Sequence, residues 1–182
     1  GHAQAAELLL RGGASVDAAG AMGWSPLHFA ASHGRTECLE ELLKHGADLH
    51  RASANHLTAA ECAAWRGHRE ATAFLVAQGA KLSPYMSAAL GDADKVKAAL
   101  AAQAGAGQRD ARGDTLLHWA AAAGQAGVAK LLLQRGAEVD AVDTGGQTPL
   151  ATAARAGKAE VTALLLKHGA NPDARSHDAA TP

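Results

Sequence analysis

Residues 110–136 begin Asp110-Ala-Arg-Gly-Asp-Thr-Leu-Leu-His-Trp-Ala-Ala-Ala-Ala-Gly124, and their second half ends Lys130-Leu-Leu-Leu-Gln-Arg-Gly136. The stretch has three parts: a turn, a short helix of small residues, and a leucine-rich helix closed by glycine. It returns 33 residues later, from Asp143 to Gly169, with Thr148-Pro149-Leu150 where Thr115-Leu116-Leu117 stood. It also stands earlier, from Gly20 to Gly46, around Ser25-Pro26-Leu27-His28. Self-similarity at a fixed period of this length marks a repeat architecture, and it governs how every other residue is read.

The glycine between the two helices of each copy serves as a ruler. It falls at Gly1, Gly34, Gly67, Gly91, Gly124 and Gly157, in steps of 33, 33, 24, 33 and 33. A second glycine follows twelve residues later at Gly13, Gly46, Gly79, Gly136 and Gly169, with Gln103 the exception. Glycine is expected just past a helix end, where a left-handed backbone penalises any Cβ. For the exception, either Gln103 takes that turn, at a cost of about 1 kcal/mol for its Cβ, or the helix runs on and Gly105 takes it, the alternative slightly favoured. The boundaries that follow are a partial repeat at 1–19, full repeats at about 20–52 and 53–82, a shortened one at 83–109, full repeats at 110–142 and 143–175, and the start of another at 176–182. All are read as one domain, 1–182.

Cap chemistry places the helix starts. Thr58 and Glu61 have capping-box spacing. Pro26 and Pro149 follow Ser25 and Thr148, which puts a cap residue before a proline at the first helical position. The third repeat is short by nine residues: Lys81-Leu82 runs straight into Ser83-Pro84-Tyr85, so the missing piece is the turn before its first helix. The second helices carry an apolar stripe at i, i+3 and i+4, through Val128, Leu131 and Leu132 with Leu133 beside them, and through Val161, Leu164, Leu165 and Leu166. A unit of about thirty residues cannot cover such a stripe alone, so copies stack. The alanine pairs Ala30-Ala31, Ala63-Ala64, Ala120-Ala121 and Ala153-Ala154 let the first helices approach closely, which predicts a curved stack.

Composition narrows the function classes. The chain has 182 residues and a formal net charge of -1, from 17 basic and 18 acidic side chains. That balance carries no electrostatic footprint for nucleic acid or an anionic membrane. Its uncharged runs are too short for a membrane span. Two cysteines, Cys38 and Cys62, make no disulfide framework, so a reducing, cytoplasm-like compartment is expected. The chain opens in mid-pattern without Met and stops at Thr181-Pro182, so it reads as a monomeric module within a longer array.

This text resembles the ankyrin repeat family. The resemblance rests on Gly23-Trp24-Ser25-Pro26-Leu27-His28, on Asp110 to His118 and Asp143 to Leu150, and on the Gly-Ala closures Gly46-Ala47, Gly79-Ala80, Gly136-Ala137 and Gly169-Ala170. Gly20 and Ser53 depart from it at the opening Asp, and Ala151 and Glu61 at the His. It implies an all-α solenoid of stacked antiparallel helix pairs with β-hairpin fingers. It also implies non-covalent binding of another protein through fingers and first helices.

No enzymatic constellation competes with that expectation. Six of the ten histidines fall in repeated slots: His28 with His118, His2 with His68, and His45 with His168. Equivalent slots in stacked helices lie roughly 10 Å apart, too far for one ion with His ligands at about 2 Å. Hydrogen bonds to turn backbones are the expected histidine role, and no metal or cofactor is expected. Cys38 and Cys62 read as small buried residues. Asp143-Thr144-Gly145 has no second aspartate copy to share a proton, and Gly105-Ala106-Gly107 lacks the spacing of a phosphate loop.

The positions that vary between copies are the candidate partner-binding residues: Met22, Trp24, Ser32 and His33, then Asn55, Leu57, Trp65 and Arg66, then Arg112, Asp114, Thr144, Gln147 and Arg155. Trp, Arg and Met are favoured at binding hot spots. Trp119 differs, because Phe29 and Cys62 hold its slot; it is expected in the core. The chain is thus expected to be a non-enzymatic protein-interaction module that binds on a concave face. The alternative is a substrate-recruiting or scaffold arm of a larger enzyme or effector. The shortened repeat is expected to leave a notch that bends the stack or admits a protruding ligand segment.

Overall fold

A computed structural model describes residues 2–102 and 105–174. Gly1, Gln103 and the start of a further repeat at 176–182 lie outside them. Eleven α-helices form among the described residues, in two compact units, Gly1–Lys81 and Leu82–Pro182.

The first unit holds α1 (His2–Arg11), α2 (Pro26–Ser32), α3 (Thr36–Lys44), α4 (Ala59–Trp65) and α5 (Arg69–Ala77). First helices pack on first helices and second on second: α2 on α4, α1 on α3, and α3 on α5. The second unit holds α6 (Pro84–Leu90), α7 (Ala93–Ala102), α8 (Leu116–Ala123), α9 (Ala126–Gln134), α10 (Pro149–Arg155) and α11 (Ala159–Lys167). There α6, α8 and α10 stack in one row and α7, α9 and α11 in another. Gly105 has φ +100, the backbone expected of it.

The first helices span only seven or eight residues, too short to persist alone in water. Caps and packing hold them. The Thr58 N–H donates to Glu61 Oε2 at 3.0 Å, and the Glu61 N–H returns to Thr58 Oγ1 at 3.4 Å. Thr148 Oγ1 accepts from the Ala151 N–H, and Ser83 Oγ from the Met86 N–H, each at 3.2 Å. The alanine-rich faces of these helices are core: Ala31, Ala63, Ala64, Ala88, Ala120, Ala121 and Ala153 are fully buried.

In the second helices, the leucine eight residues past the ruler glycine anchors the packing, as Leu42, Leu75, Leu132 and Leu165, at most 3 % exposed. Each such burial contributes roughly 1.5–3 kcal/mol. Leu9 holds the same register in α1 and is 65 % exposed. Val128 and Val161 are buried as the stripe requires, while Leu166 at its edge is 45 % exposed.

Ahead of four first helices the chain makes the same five-residue turn, at 20–24, 53–57, 110–114 and 143–147. In each, the first N–H donates to the fifth carbonyl: Gly20 to Trp24, Ser53 to Leu57, Asp110 to Asp114 and Asp143 to Gln147, at 2.8–3.0 Å. The fourth residue is left-handed: Gly23 (φ 70), His56 (φ 59), Gly113 (φ 78) and Gly146 (φ 74). Isolated antiparallel bridges, Ala52 with Thr58 and Arg109 with Thr115, flank two of these turns, and no strand forms among the described residues.

Successive turns interlock. The Ala54 N–H donates to Met22 O at 2.8 Å, and the Thr144 N–H to Arg112 O at 2.9 Å. The glycine after each accepting residue lets the chains approach this closely. A Cβ on Gly23 would stand 3.2 Å from Ala54 N, and one on Gly113 only 2.9 Å from Thr144 N.

Candidate functional site

Histidine chemistry here is structural. His28 and His118 are fully buried near the starts of α2 and α8. Their Nδ1 atoms take the Ser25 and Thr115 N–H groups at 3.2 and 3.1 Å. Their Nε2 atoms lie 3.0 Å from the carbonyls of Leu57 and Gln147, in the following turn. A carbonyl only accepts, so Nε2 carries the proton and Nδ1 receives; the neutral ring is the form that fits. Burial accordingly pulls both groups below the ordinary histidine value.

His33, His45, His68 and His168 likewise each have a ring nitrogen within hydrogen-bonding distance of a backbone carbonyl. No cluster of histidine, cysteine or carboxylate able to hold a metal exists among the described residues. Cys38 and Cys62 are buried, and burial raises the Cys38 thiol above its usual range, the opposite of an activated nucleophile.

The candidate binding residues of the first unit fall into two groups, at opposite ends of α2 and α4. Seven helical residues, about 10 Å of rise, separate them. At the turn end, Met22 is 58 % exposed with φ 60. Trp24 is half-buried, its ring edge-on to Phe29 at 5.0 Å between centroids. Asn55 is half-buried in the next turn, and Leu57 is buried with its carbonyl engaged by His28.

At the other end, Ser32 is 7 % exposed and its hydroxyl donates to Phe29 O at 3.0 Å. His33 and Arg66 are exposed and Trp65 is half-buried. His68 Nε2 at 3.0 Å from Ser32 O ties the ends of the two repeats together. A groove of about 520 Å³, lined among others by Ala6, Pro26, Phe29, His33 and Leu42, runs beside α1.

The second unit is arranged differently. Arg112 is largely covered: its guanidinium lies 2.8 Å from the Asp114 carboxylate, 3.6 Å from that of Asp110, and 5.5 Å from the centre of the Trp119 ring. Trp119 is 1 % exposed, as its slot predicted; its indole N–H donates to Asp110 Oδ2 at 2.9 Å, and Tyr85 of α6 lies 6.0 Å away. Asp114 is 1 % exposed. Burial outweighs the attraction of Arg112 and, with Asp110 and Asp143 adding repulsion, pushes its carboxyl up to about 7. Thr144 and Arg155 are exposed, and Gln147 is half-buried. The Thr144 hydroxyl joins its N–H in donating to Arg112 O.

Three of the thirteen candidates, Ser32, Leu57 and Asp114, are therefore buried, with polar atoms turned inward. The turn register picks out variable slots without separating those that face solvent from those that face the next repeat. One exposed aromatic lies outside the candidate set: Phe29, 48 % exposed. Its slot holds core residues in other copies. The signal that marks it is Gly20, which stands where Asp110 holds the equivalent tryptophan.

Among the described residues no helix is long and apolar enough to cross a membrane. No curated protein matches the chain. A family model described as ankyrin repeats (3 copies) matches residues 1–84 and again 85–176. With the turns, caps and paired helix rows all following one period, the chain belongs to the ankyrin repeat family.

Proposed function

We propose that this chain, whose family consists in general of protein-protein interaction modules, binds a partner protein at the exposed turn and first-helix ends of its first unit, through Met22, Trp24, Trp65 and Arg66, with His33 and Asn55 at the margins. The five-residue turns take the place of hairpin fingers in that face. In the second unit Arg112, Thr144, Gln147 and Arg155 occupy the corresponding positions, but the Arg112 charge is spent on Asp114 and Asp110.

One observation carries the reading. Trp65 is half-buried at a slot that Ser32, Ala122 and Arg155 fill in other repeats, so the stack closes without a large ring there. A large, partly exposed aromatic that packing does not require, followed by an exposed arginine, is the make-up of a binding hot spot. The test is capture of the partner by wild type and by Trp24→Ala/Trp65→Ala. The double variant is expected to lose capture while its helical circular dichroism and melting hold. Undiminished capture would remove the assignment.

A further inference from the structure

In the first unit the loops that leave the first helices concentrate positive charge. Between α2 and α3 the chain reads His33-Gly34-Arg35, and between α4 and α5 it reads Arg66-Gly67-His68, with Arg69 opening α5. Residues 32–36 and 65–69 hold three arginines, two histidines and no acid, in a chain of net charge -1. Arg35, Arg66 and Arg69 are all exposed. The acids nearest in sequence, Glu37 and Glu70, lie in the first turns of α3 and α5, where the helix dipole favours them.

The two loops lie against each other. His68 Nε2 stands 3.0 Å from Ser32 O, and a Cβ built on Gly34 would meet the His68 ring at 2.7 Å. Glycine at Gly34, with φ 64, is what lets the second loop close onto the first. The cations of both repeats therefore share one surface, with half-buried Trp65 at the end of α4 next to Arg66.

The backbone does not require these cations. The fourth repeat closes the same loop with Ala122-Ala123-Gly124-Gln125-Ala126. There the Gln125 N–H donates to Ala120 O at 2.8 Å, as the Arg35 N–H does to Ala30 O and the His68 N–H to Ala63 O, both at 2.9 Å. Gly124 (φ 79) is left-handed like Gly34 and Gly67 (φ 79). Loop closure thus accounts for the glycines and leaves the arginines to another role.

We propose that the partner of this face presents an acidic segment, with carboxylates paired to Arg35, Arg66 and Arg69 on either side of an apolar side chain that lies on the Trp65 ring. Guanidinium groups take carboxylates through paired hydrogen bonds, and arginine clusters select acidic segments. Nucleic acid is the other polyanion, but a near-neutral chain offers it no extended basic track. The proposal rests on the reading of Trp65 as a contact residue and adds the chemistry of what it meets.

The probes are two peptides, Asp-Glu-Leu-Glu-Asp and Lys-Lys-Leu-Lys-Lys, and a thymidine oligonucleotide, each titrated into the full 182-residue chain under NMR. The indole N–H signals of Trp24, Trp65 and Trp119 report separately, and Trp119, 1 % exposed, is the internal control. The acidic peptide is expected to shift Trp65 and the backbone amides of residues 35 and 66–69, and the lysine peptide to leave them in place. Salt raised to about 0.3 M weakens the acidic peptide severalfold. The variant Arg35→Gln/Arg66→Ala/Arg69→Ala carries the fourth repeat's own residues at these positions. It is expected to keep its helical circular dichroism and to bind the acidic peptide at least tenfold more weakly.

Undiminished binding by that variant would overturn the proposal, and so would tighter binding of the oligonucleotide than of the acidic peptide. Equal Trp65 shifts from both peptides would remove the acidic partner and leave the binding face standing. Shifts in the two loops with Trp65 unmoved would remove the tryptophan contact itself, so the two readings fail separately.

Discussion

Residues 20–29 and 110–119 fill the same place in two repeats, with the same bond from first N–H to fifth carbonyl, the same left-handed fourth residue and the same buried histidine reaching the next turn, although Met22 is left-handed as well (φ 60). Their side chains lead to opposite outcomes. In the first copy Gly20 and the Trp24 ring lie beside Phe29, a ring that stays 48 % exposed. In the second, Asp110 and Arg112 engage Trp119, a ring that is 1 % exposed. A carboxylate that accepts the indole N–H, with a guanidinium over the ring, fixes the second aromatic as core. Phe29 has no polar atom for such a tie, and Gly20 offers no acceptor. A repeat slot thus sets where a side chain starts, and its turn residues decide whether it becomes structure or surface.

Deleting the rings is the strongest challenge to that contrast. Trp119→Ala is expected to cost about 3–5 kcal/mol, through a cavity in a packed core, and Phe29→Ala less than about 1 kcal/mol. Both are read by urea unfolding, and equal losses would erase the difference between the two copies.

Titration sharpens it. Below the unfolded value of 3.8, Asp114 is protonated in both states. As pH rises, the unfolded carboxyl ionises while the folded one holds its proton to about 7. The native state then binds more protons, so stability declines across that window by a few kcal/mol at most. Asp114→Asn is expected to remove the decline and leave a response of opposite sign. His28 and His118 sit below the ordinary 6.5, so their contribution is present above it and is lost as pH falls through their lowered values. Melting temperatures from pH 4 to 8 for both proteins decide the matter.

The turns themselves provide a smaller effect. Gly113→Ala meets both a left-handed backbone and Thr144 N, and is expected to cost about 2 kcal/mol. His56→Gly trades relieved strain against chain entropy, so its stability should stay within about 0.5 kcal/mol of wild type. A large loss at His56 would show that its side chain is held in the native state. Trp24→Ala is likewise expected to change stability little, by about 1 kcal/mol or less. Its expected consequence is lost partner capture.

The period of 33, the caps and the alanine faces were legible in the sequence because each depends on residues near in sequence. Thr58 with Glu61 and Ser83 before Pro84 announce helix starts through backbone chemistry alone. Leu57 and Asp114 were not legible as buried, because variation at their slot does not say what each residue meets: the Leu57 carbonyl is engaged by His28 of the preceding repeat, and the Asp114 carboxylate by Arg112 of its own turn. The expected hairpin fingers are a similar case. Among the described residues they are reduced to five-residue turns, tied at Asp143 by its Oδ1, which takes the Gly145 and Gln147 N–H groups at 2.8 Å, with isolated antiparallel bridges flanking two of the four.

Site-specific cross-linking tests the binding assignment most directly. A photo-reactive side chain placed at Arg66, beside Trp65 at the end of α4, is expected to form one discrete adduct with a partner protein. The same group at Lys44, at the end of α3, is expected to form none. Equal adducts from both positions, or an adduct from Lys44 alone, would contradict the account.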